Sequence, residues 1–433
     1  MMYEKELKRD IPKDSRLANI LIITYMCTVL LFTAHDSLNI ISLASFVIAF
    51  GYCGFYMLMH GRIIGFNKFT VLFAAFIVFC FFSLLWSKDF DTSVTSLITL
   101  VQLFVLSLVL CSYISHYENM DVFVFGLLIS GLVCSYVVIG YYGVSEYFEL
   151  MMQGVRLGGP IANENTIGLY AGTTVIVGFY YGFIKNKKLG YLAMILPLIV
   201  AFGTGSRKAL IMIIVGILLL IFMRYRENIS LASFAKLLAC VIVILIVVKW
   251  LSTVPAFRTT FIRLESAFSE DVKDASASVR ETMIDVGMRY FKKNPYTGVG
   301  LGNTNIITWQ YLGWETYLHN NYVELLASVG IFGFLLYYSM YAYLLKNLYQ
   351  ISANTKDSIS ALMFVIVLTN LILEYGFVSY YNKMTHIYLA MAAATVVMGK
   401  KKMKEMESMI YEDDEEGFEG SEEPRIALED GYR

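Results

Sequence analysis

A chain of 433 residues with 57% hydrophobic side chains, 16% charged ones and a mean hydropathy of +0.61 lies far outside the usage of water-soluble domains. A net charge of -1 with no basic stripe excludes a nucleic-acid surface. The six cysteines (Cys27, Cys53, Cys80, Cys111, Cys134, Cys240) all lie inside apolar runs without a CxxC pair, which excludes a disulfide framework and a thiolate metal site and makes them packing residues.

In chain order, residues 1–16 are polar and lead into a full-length apolar stretch with no small-residue cleavage site, so a retained first helix is expected. Crossing a hydrocarbon layer of about 30 Å takes roughly 20 helical residues. That ruler selects twelve spans, near 17–34, 38–58, 70–86, 94–114, 122–142, 166–184, 189–203, 209–223, 234–252, 323–346, 358–374 and 384–398. The expected fold is therefore an all-α polytopic membrane protein with about twelve transmembrane helices and one large, partly helical extracytoplasmic loop. Its parts are a cytoplasmic N-terminus (1–16), nine spans (17–252), the loop (253–322), three spans (323–398) and a cytoplasmic tail (399–433). The tail, from about Lys404, contains EDDEEGFEGSEEP and is expected to be disordered, because its acidity leaves nothing to bury.

Lysine and arginine resist translocation and collect on the cytoplasmic side. Lys5, Lys8, Arg9, Lys13, Arg16, the Lys185/Lys187/Lys188 turn, Arg224, Arg226, Lys346 and Lys400–Lys402 fall on one side; the short loops of the other hold Lys88, Arg156, Arg207, Lys208 and Lys383. Both termini are accordingly placed in the cytoplasm and the long loop outside.

Three outer segments carry candidate chemistry. Arg156 in VRLGGPIANENTIGLYAG precedes Asn163-Glu164-Asn165, which caps the sixth span; it reads either as a snorkelling arginine beside a cap or as a ligand-binding cation. Arg207 and Lys208 in GTGSRKAL sit in a glycine-rich turn, and a planar guanidinium there suits diphosphate oxygens, although a tolerated hairpin turn is the alternative. In the long loop, Ser278-x-x-Glu281 is a capping-box pattern that predicts a helix from Ser278 to just before Asn294-Pro295, with Arg280 in its first turn, where the helix dipole already favours an anion. The following Gly298-Val299-Gly300-Leu301-Gly302 would let backbone approach a ligand closely. His319, just before the tenth span with Asn320 or Asn321 as cap and Glu324 in the first turn, is placed either as an interfacial polar group or as a general base. Arginines competent for a diphosphate and one candidate base, all outside, suit glycan transfer from a polyprenyl diphosphate to a hydroxyl.

The ordered set RLGGPIANENTIGLYAG, GTGSRKAL, SVR…NPYTGVGLGN and HNNYVELLASVGIFG, covering about Arg156 to Tyr338, resembles the O-antigen ligase and polysaccharide polymerase family of bacterial envelope enzymes. The resemblance implies a glycosyltransferase of the bacterial cytoplasmic membrane that uses undecaprenyl-diphosphate-linked oligosaccharide as donor, and as acceptor in the polymerases, with no metal or other cofactor. Functional coupling to a flippase and a chain-length regulator would be in keeping with it. Arg207 and Arg280 match the family's diphosphate-binding arginines and His319 its proposed catalytic base; Arg156 matches a basic residue of less definite role, and Lys208 is a departure from the family pattern that reads either as a second phosphate contact or as no contact at all. The family divides into polymerases, the reading favoured here, and ligases that move polymer onto a lipid or protein acceptor. Two further readings compete: a glycosyltransferase using Asp89 and Asp91 in Ser87-Lys88-Asp89-Phe90-Asp91, and a flippase or transporter, which should hold ionisable groups at mid-membrane, where only Lys249 and Glu374, near span ends, are visible.

Overall fold

The computed structural model describes residues 12–32, 37–159, 161–226 and 275–419, together with positions 238, 242, 246, 249, 252–254, 257 and 261. The span expected near 234–252, Cys240 and the first part of the long loop lie outside the described residues or rest on isolated positions among them. The described residues are helical and contain no strand. The helices are α1 (Arg16–Phe32), α2 (Asn39–Met59), α3 (Lys68–Phe82, extended by a 3-10 turn, Ser83–Trp86), α4 (Phe90–Tyr117), α5 (Met120–Tyr142), α6 (Val144–Met152), α7 (Glu164–Phe179, ending in a π turn, Tyr180–Ile184), α8 (Leu189–Gly203), α9 (Arg207–Tyr225), α10 (Ala275–Lys293), α11 (Thr304–Leu312), α12 (Asn321–Thr355), α13 (Ser358–Leu373, with a 3-10 turn, Glu374–Gly376) and α14 (Lys383–Glu419).

Among the described residues eight helical segments are long and apolar enough to cross a membrane, and α1 and α8 are shorter apolar helices at two further expected positions. The polytopic all-α expectation holds. The helix ends gather on two faces. On one, Lys383 Nζ meets Asn39 Oδ1 at 3.1 Å and Trp86 Nε1 donates to the Thr297 carbonyl at 3.1 Å. On the other, Tyr113 Oη receives the Ser15 N–H, Asn119 reaches Asp14 and Lys401 pairs with Glu118. The first face carries the long loop and is called the loop face below.

Three expectations change. Helix α10 begins at Ala275, so Ser278 and Glu281 lie inside it, Ser278 contributing its carbonyl to Thr282, and Arg280 stands in the second turn instead of the first. Helix α14 runs on to Glu419, so residues 404–419 of the acidic tail are helical; a spanning helix supplies the nucleus, and continuing it costs far less than starting one. Residues 420–433 lie outside the described residues. Lastly, α12 is broken: Gly330 has φ 66 and ψ -170, which separates a short first segment from the long second one.

The break explains the glycine run. Segment 295–301 threads through it, with Val299 N donating to the Ala327 carbonyl (3.0 Å), Gly300 N to Ser328 (2.9 Å) and Ile331 N to the Pro295 carbonyl (2.8 Å). Carbonyls freed at the helix end thus find partners, as buried backbone must. A Cβ on Gly298 would stand 2.4 Å from Ser328 backbone, and one on Gly300 2.8 Å from Ser87 Cα. The glycines that were expected to approach a ligand approach the protein's own main chain.

Candidate functional site

Each candidate side chain is held by a specific piece of local structure. Helix α8 has 15 residues, and the turn after it is sunk among its neighbours: Thr204 and Ser206 are buried. Gly203 lies under the Tyr147 ring of α6, and the Leu157 N–H bonds to the Gly203 carbonyl at 2.9 Å. Helix α9 begins inside that depression. Ser206 is its N-cap residue, and its hydroxyl is buried without a hydrogen-bond partner among the described residues. Arg207 and Lys208 are half-buried in the first turn, where helical N–H groups have no acceptor within the helix. The Lys208 ammonium donates to the Gly376 carbonyl in the turn after α13.

Arg156 faces inward rather than snorkelling outward. Its Nε donates to the Thr204 carbonyl (3.0 Å), one terminal nitrogen donates to Asn165 Oδ1 (3.3 Å), and the same nitrogen stands 3.5 Å from Glu164 Oε2. Asn163 caps α7 as expected, accepting from Asn165 N at 3.0 Å. Arg156 therefore ties the α6–α7 loop to the sunken turn.

His319 stands at a junction fixed from three directions. Its own backbone is left-handed, φ 56, a conformation histidine tolerates better than most residues. Before it, the Leu318 N–H donates to Glu324 Oε2 at 2.8 Å, while Glu324 Oε1 receives the Thr304 hydroxyl. After it, Asn320 caps α12 by accepting from Val323 N at 3.1 Å. Next, Asn321 Oδ1 accepts from the N–H groups of Ser379 and Tyr380 (3.0 and 3.2 Å) and its amide donates to Glu374 Oε2 (3.0 Å).

Glu374 is fully buried and accepts four hydrogen bonds: Asn321 and Tyr338 (2.7 Å) on one oxygen, Tyr341 (2.6 Å) and Ser379 on the other. Four donors on one carboxyl suit its acceptor-only form. The carboxylate thus joins two segments. One delivers His319; the other ends at Gly376, which receives Lys208.

Charge unites the set. Arg280, Arg207 and Arg156 all act on the Lys208 ammonium, and Arg280 and Lys208 both act on His319. Burial first, then those two cations, push the imidazole down from 6.5 to about 4, so the ring is neutral at ambient pH. All five candidates therefore lie in one electrostatic neighbourhood at the loop face, though they come from four separated stretches of chain.

The sequence reading missed several contributors. Asn303 closes NPYTGVGLGN by accepting from Ser87 Oγ (3.0 Å) and the N–H groups of Lys88 (2.7 Å) and Asp89 (2.8 Å), which docks the loop on the α3–α4 turn. Glu374 had been noted only as an ionisable group near a span end. Asp89 proves to be the N-cap of α4, accepting from Thr92 N (3.1 Å) and the Thr92 hydroxyl (2.6 Å); those bonds hold its carboxyl below the ordinary range.

Residues 192–338 match a family model described as O-antigen ligase, an interval containing Arg207, Lys208, Arg280 and His319 but not Arg156. The chain is also 26% identical over 301 residues to the teichuronic acid biosynthesis protein TuaE of Bacillus subtilis (strain 168), a match covering 65% of this chain and 60% of that relative. Together with the polytopic helical fold, these matches make residues 192–338 similar to the O-antigen ligase family and the chain as a whole similar to a polysaccharide biosynthesis protein.

Proposed function

We propose that the protein is a polysaccharide polymerase that transfers a glycan from undecaprenyl diphosphate to a hydroxyl of another lipid-linked oligosaccharide, at the outer face of the bacterial cytoplasmic membrane. The observation that carries this reading is the joint action of Arg280 and Lys208 on His319, with Arg207 and Arg156 acting on the same lysine. A diphosphate bound among these cations would have its leaving-group charge stabilised as the anomeric carbon–oxygen bond breaks. The acceptor oxygen attacks that carbon, and a ring nitrogen of His319 takes the hydroxyl proton. Undecaprenyl diphosphate departs, and the bond count balances without another reagent.

An imidazole at about 4 is by itself a weak base. The diphosphate supplies negative charges that offset Arg280 and Lys208, so binding of the donor itself raises the basicity of His319 when a base is needed. The cations belong to Arg207 and Lys208 at the start of α9 and Arg280 on α10, and the Ser206 hydroxyl at the N-cap of α9 adds a donor for the same oxygens.

A ligase that moves a finished polymer to a lipid or protein acceptor is the second reading, favoured by the family description itself. Incubating purified protein with lipid-linked repeat units and separating the products on a gel distinguishes them: a ladder supports the polymerase, and a single transfer to another acceptor supports the ligase. His319→Ala, Arg280→Ala and Arg207→Ala should each give inserted, folded protein with little or no product. Wild-type chain length from Arg280→Ala would refute the diphosphate role, and lipid-linked glycan crossing liposomes without ever being joined would refute glycan transfer.

A further inference from the structure

Four of the nine residues in Trp309-Gln310-Tyr311-Leu312-Gly313-Trp314-Glu315-Thr316-Tyr317 are aromatic, and all four are exposed: Trp309 58%, Tyr311 48%, Trp314 51% and Tyr317 39%. Their neighbours Thr308 and Leu318 are buried at 1% and 0%, so the exposure belongs to the rings and not to a detached segment. The backbone is pinned. The Thr308 hydroxyl donates to the Thr316 carbonyl (2.7 Å) and accepts from the Thr316 N–H (3.0 Å), and Gly313 closes α11 with a left-handed residue. Tyr290 of α10 braces the other side, donating to Gln310 Oε1 at 2.8 Å and meeting Tyr311 edge to face.

Exposed tryptophan and tyrosine near a membrane are ordinarily an interfacial belt on spanning helices. This group is differently placed. It lies on α11 and the turn after it, which pack on α10 and on the first segment of α12, and Gln310 and the exposed Glu315 are interleaved with the rings. A carboxylate between aromatic residues opposes seating them in lipid. The run also ends at the candidate base, because the Tyr317 and His319 rings are 4.2 Å apart, and the Arg280 charge reaches both.

Rigid aromatic faces that carry a large contact area at little entropic cost, beside hydrogen-bonding groups, suit the C–H faces and hydroxyls of sugar rings. We propose that residues 309–317 form an oligosaccharide subsite that holds the acceptor glycan, with Tyr317 placing the sugar next to His319. This subsite rests on the glycan-transfer reading above. It adds to that reading a recognition element for the sugars, separate from the cations that would hold the diphosphate.

The test uses full-length protein in nanodiscs and oligosaccharides released by mild acid from the lipid-linked intermediates of the native cells, which have no lipid or diphosphate. Calorimetry should show binding, and Trp309→Ala, Trp314→Ala and Tyr317→Ala should each raise Kd about three- to tenfold, the scale of one aromatic contact. Trp314→Phe should restore most of the affinity. With lipid-linked substrate, the same variants should raise KM more than they lower kcat. Two of the four tryptophans of the chain lie in the subsite, so brominated lipids test the alternative directly. Quenching of Trp309 and Trp314 emission by those lipids, absence of binding, or an unchanged Kd in the alanine variants would overturn the proposal. Because the probe carries no diphosphate, binding can be read in His319→Ala; full activity of that variant would defeat the base assignment while leaving the binding result to stand by itself.

Discussion

Glu374→Ala should destabilise the protein and detach His319 from the neighbouring cations in one step. The change leaves Asn321, Tyr338, Tyr341 and Ser379 donating into a fully buried void. At roughly 1 kcal/mol or more for each stranded donor, the loss is on the order of 3–5 kcal/mol. An unfolding entropy of about 2.1 cal/mol/K per residue gives about 0.9 kcal/mol/K over 433 residues. The melting temperature in detergent should therefore fall by about 3–5 °C. Glu374→Gln should behave differently, because the Gln carbonyl can keep Asn321 and Tyr338 while its amide faces Tyr341 and Ser379, whose hydroxyls can turn to accept. That variant should lose only about 1 kcal/mol and retain part of its polymer output, with the segments bearing His319 and Gly376 still joined. Differential scanning fluorimetry and the gel assay read both effects. Wild-type melting of Glu374→Ala, or a glutamine variant as damaged as the alanine one, would refute the reasoning.

Carbethoxylation of His319, followed by mass spectrometry, should titrate with a midpoint near 4, since the reagent attacks only the neutral ring. Positive neighbours lower that value, so Arg280→Gln and Lys208→Gln should each move the midpoint upward; an unperturbed midpoint near 6.5 in wild type would count against the cluster. On the proposed mechanism, kcat/KM should fall as pH drops through the free-enzyme value and kcat through a higher one set by the bound donor, because protonation removes the proposed base. Gly330→Ala combines a left-handed φ of 66 with a Cβ 2.4 Å from Tyr296 backbone, and should cost at least about 2 kcal/mol, seen as loss of the monodisperse peak in fluorescence-detected size exclusion. Gly140→Ala, whose Cβ would meet nothing within 4 Å, should keep that peak. Asp89→Ala should lose the α4 cap yet still make polymer, and Asp91→Ala should change little; loss of polymer from both together, with His319→Ala intact, would reverse the assignment of the base.

Hydropathy made the spans legible because a bilayer imposes a length on every helix, and the caps at Asn163 and Asn320 were legible because capping is local chemistry. What depends on partners distant in sequence was not. Glu374 looks like any polar residue at a helix end until Asn321, Tyr338 and Ser379 are brought around it. The Gly298–Gly302 run signalled close approach correctly but not what would be approached, since its partners are Ser87, Ser96 and the break at Gly330. Arg156 taken by itself reads better as a snorkelling side chain; only the turn after α8 gives it the Thr204 carbonyl. The helical start of the acidic tail was misread because composition reports what a segment can bury, whereas a helix already formed upstream needs only to be extended.

The threading of segment 295–301 through the break in α12 sets the unit in which this protein can be re-engineered. Exchanging the 253–322 loop with that of a relative is the natural test of whether it carries the proposed acceptor preference, and a junction at the apparent loop boundary near residue 320 would separate the partners of the main-chain bonds from Val299, Gly300 and Ile331. The donor sequence has to be carried as one cassette through at least Ile331, together with a compatible residue at Ser87, or the chimera will leave the Ala327 and Ser328 carbonyls bare in the protein interior. Natural recombination within such genes faces the same constraint, so loop and broken helix should be inherited together.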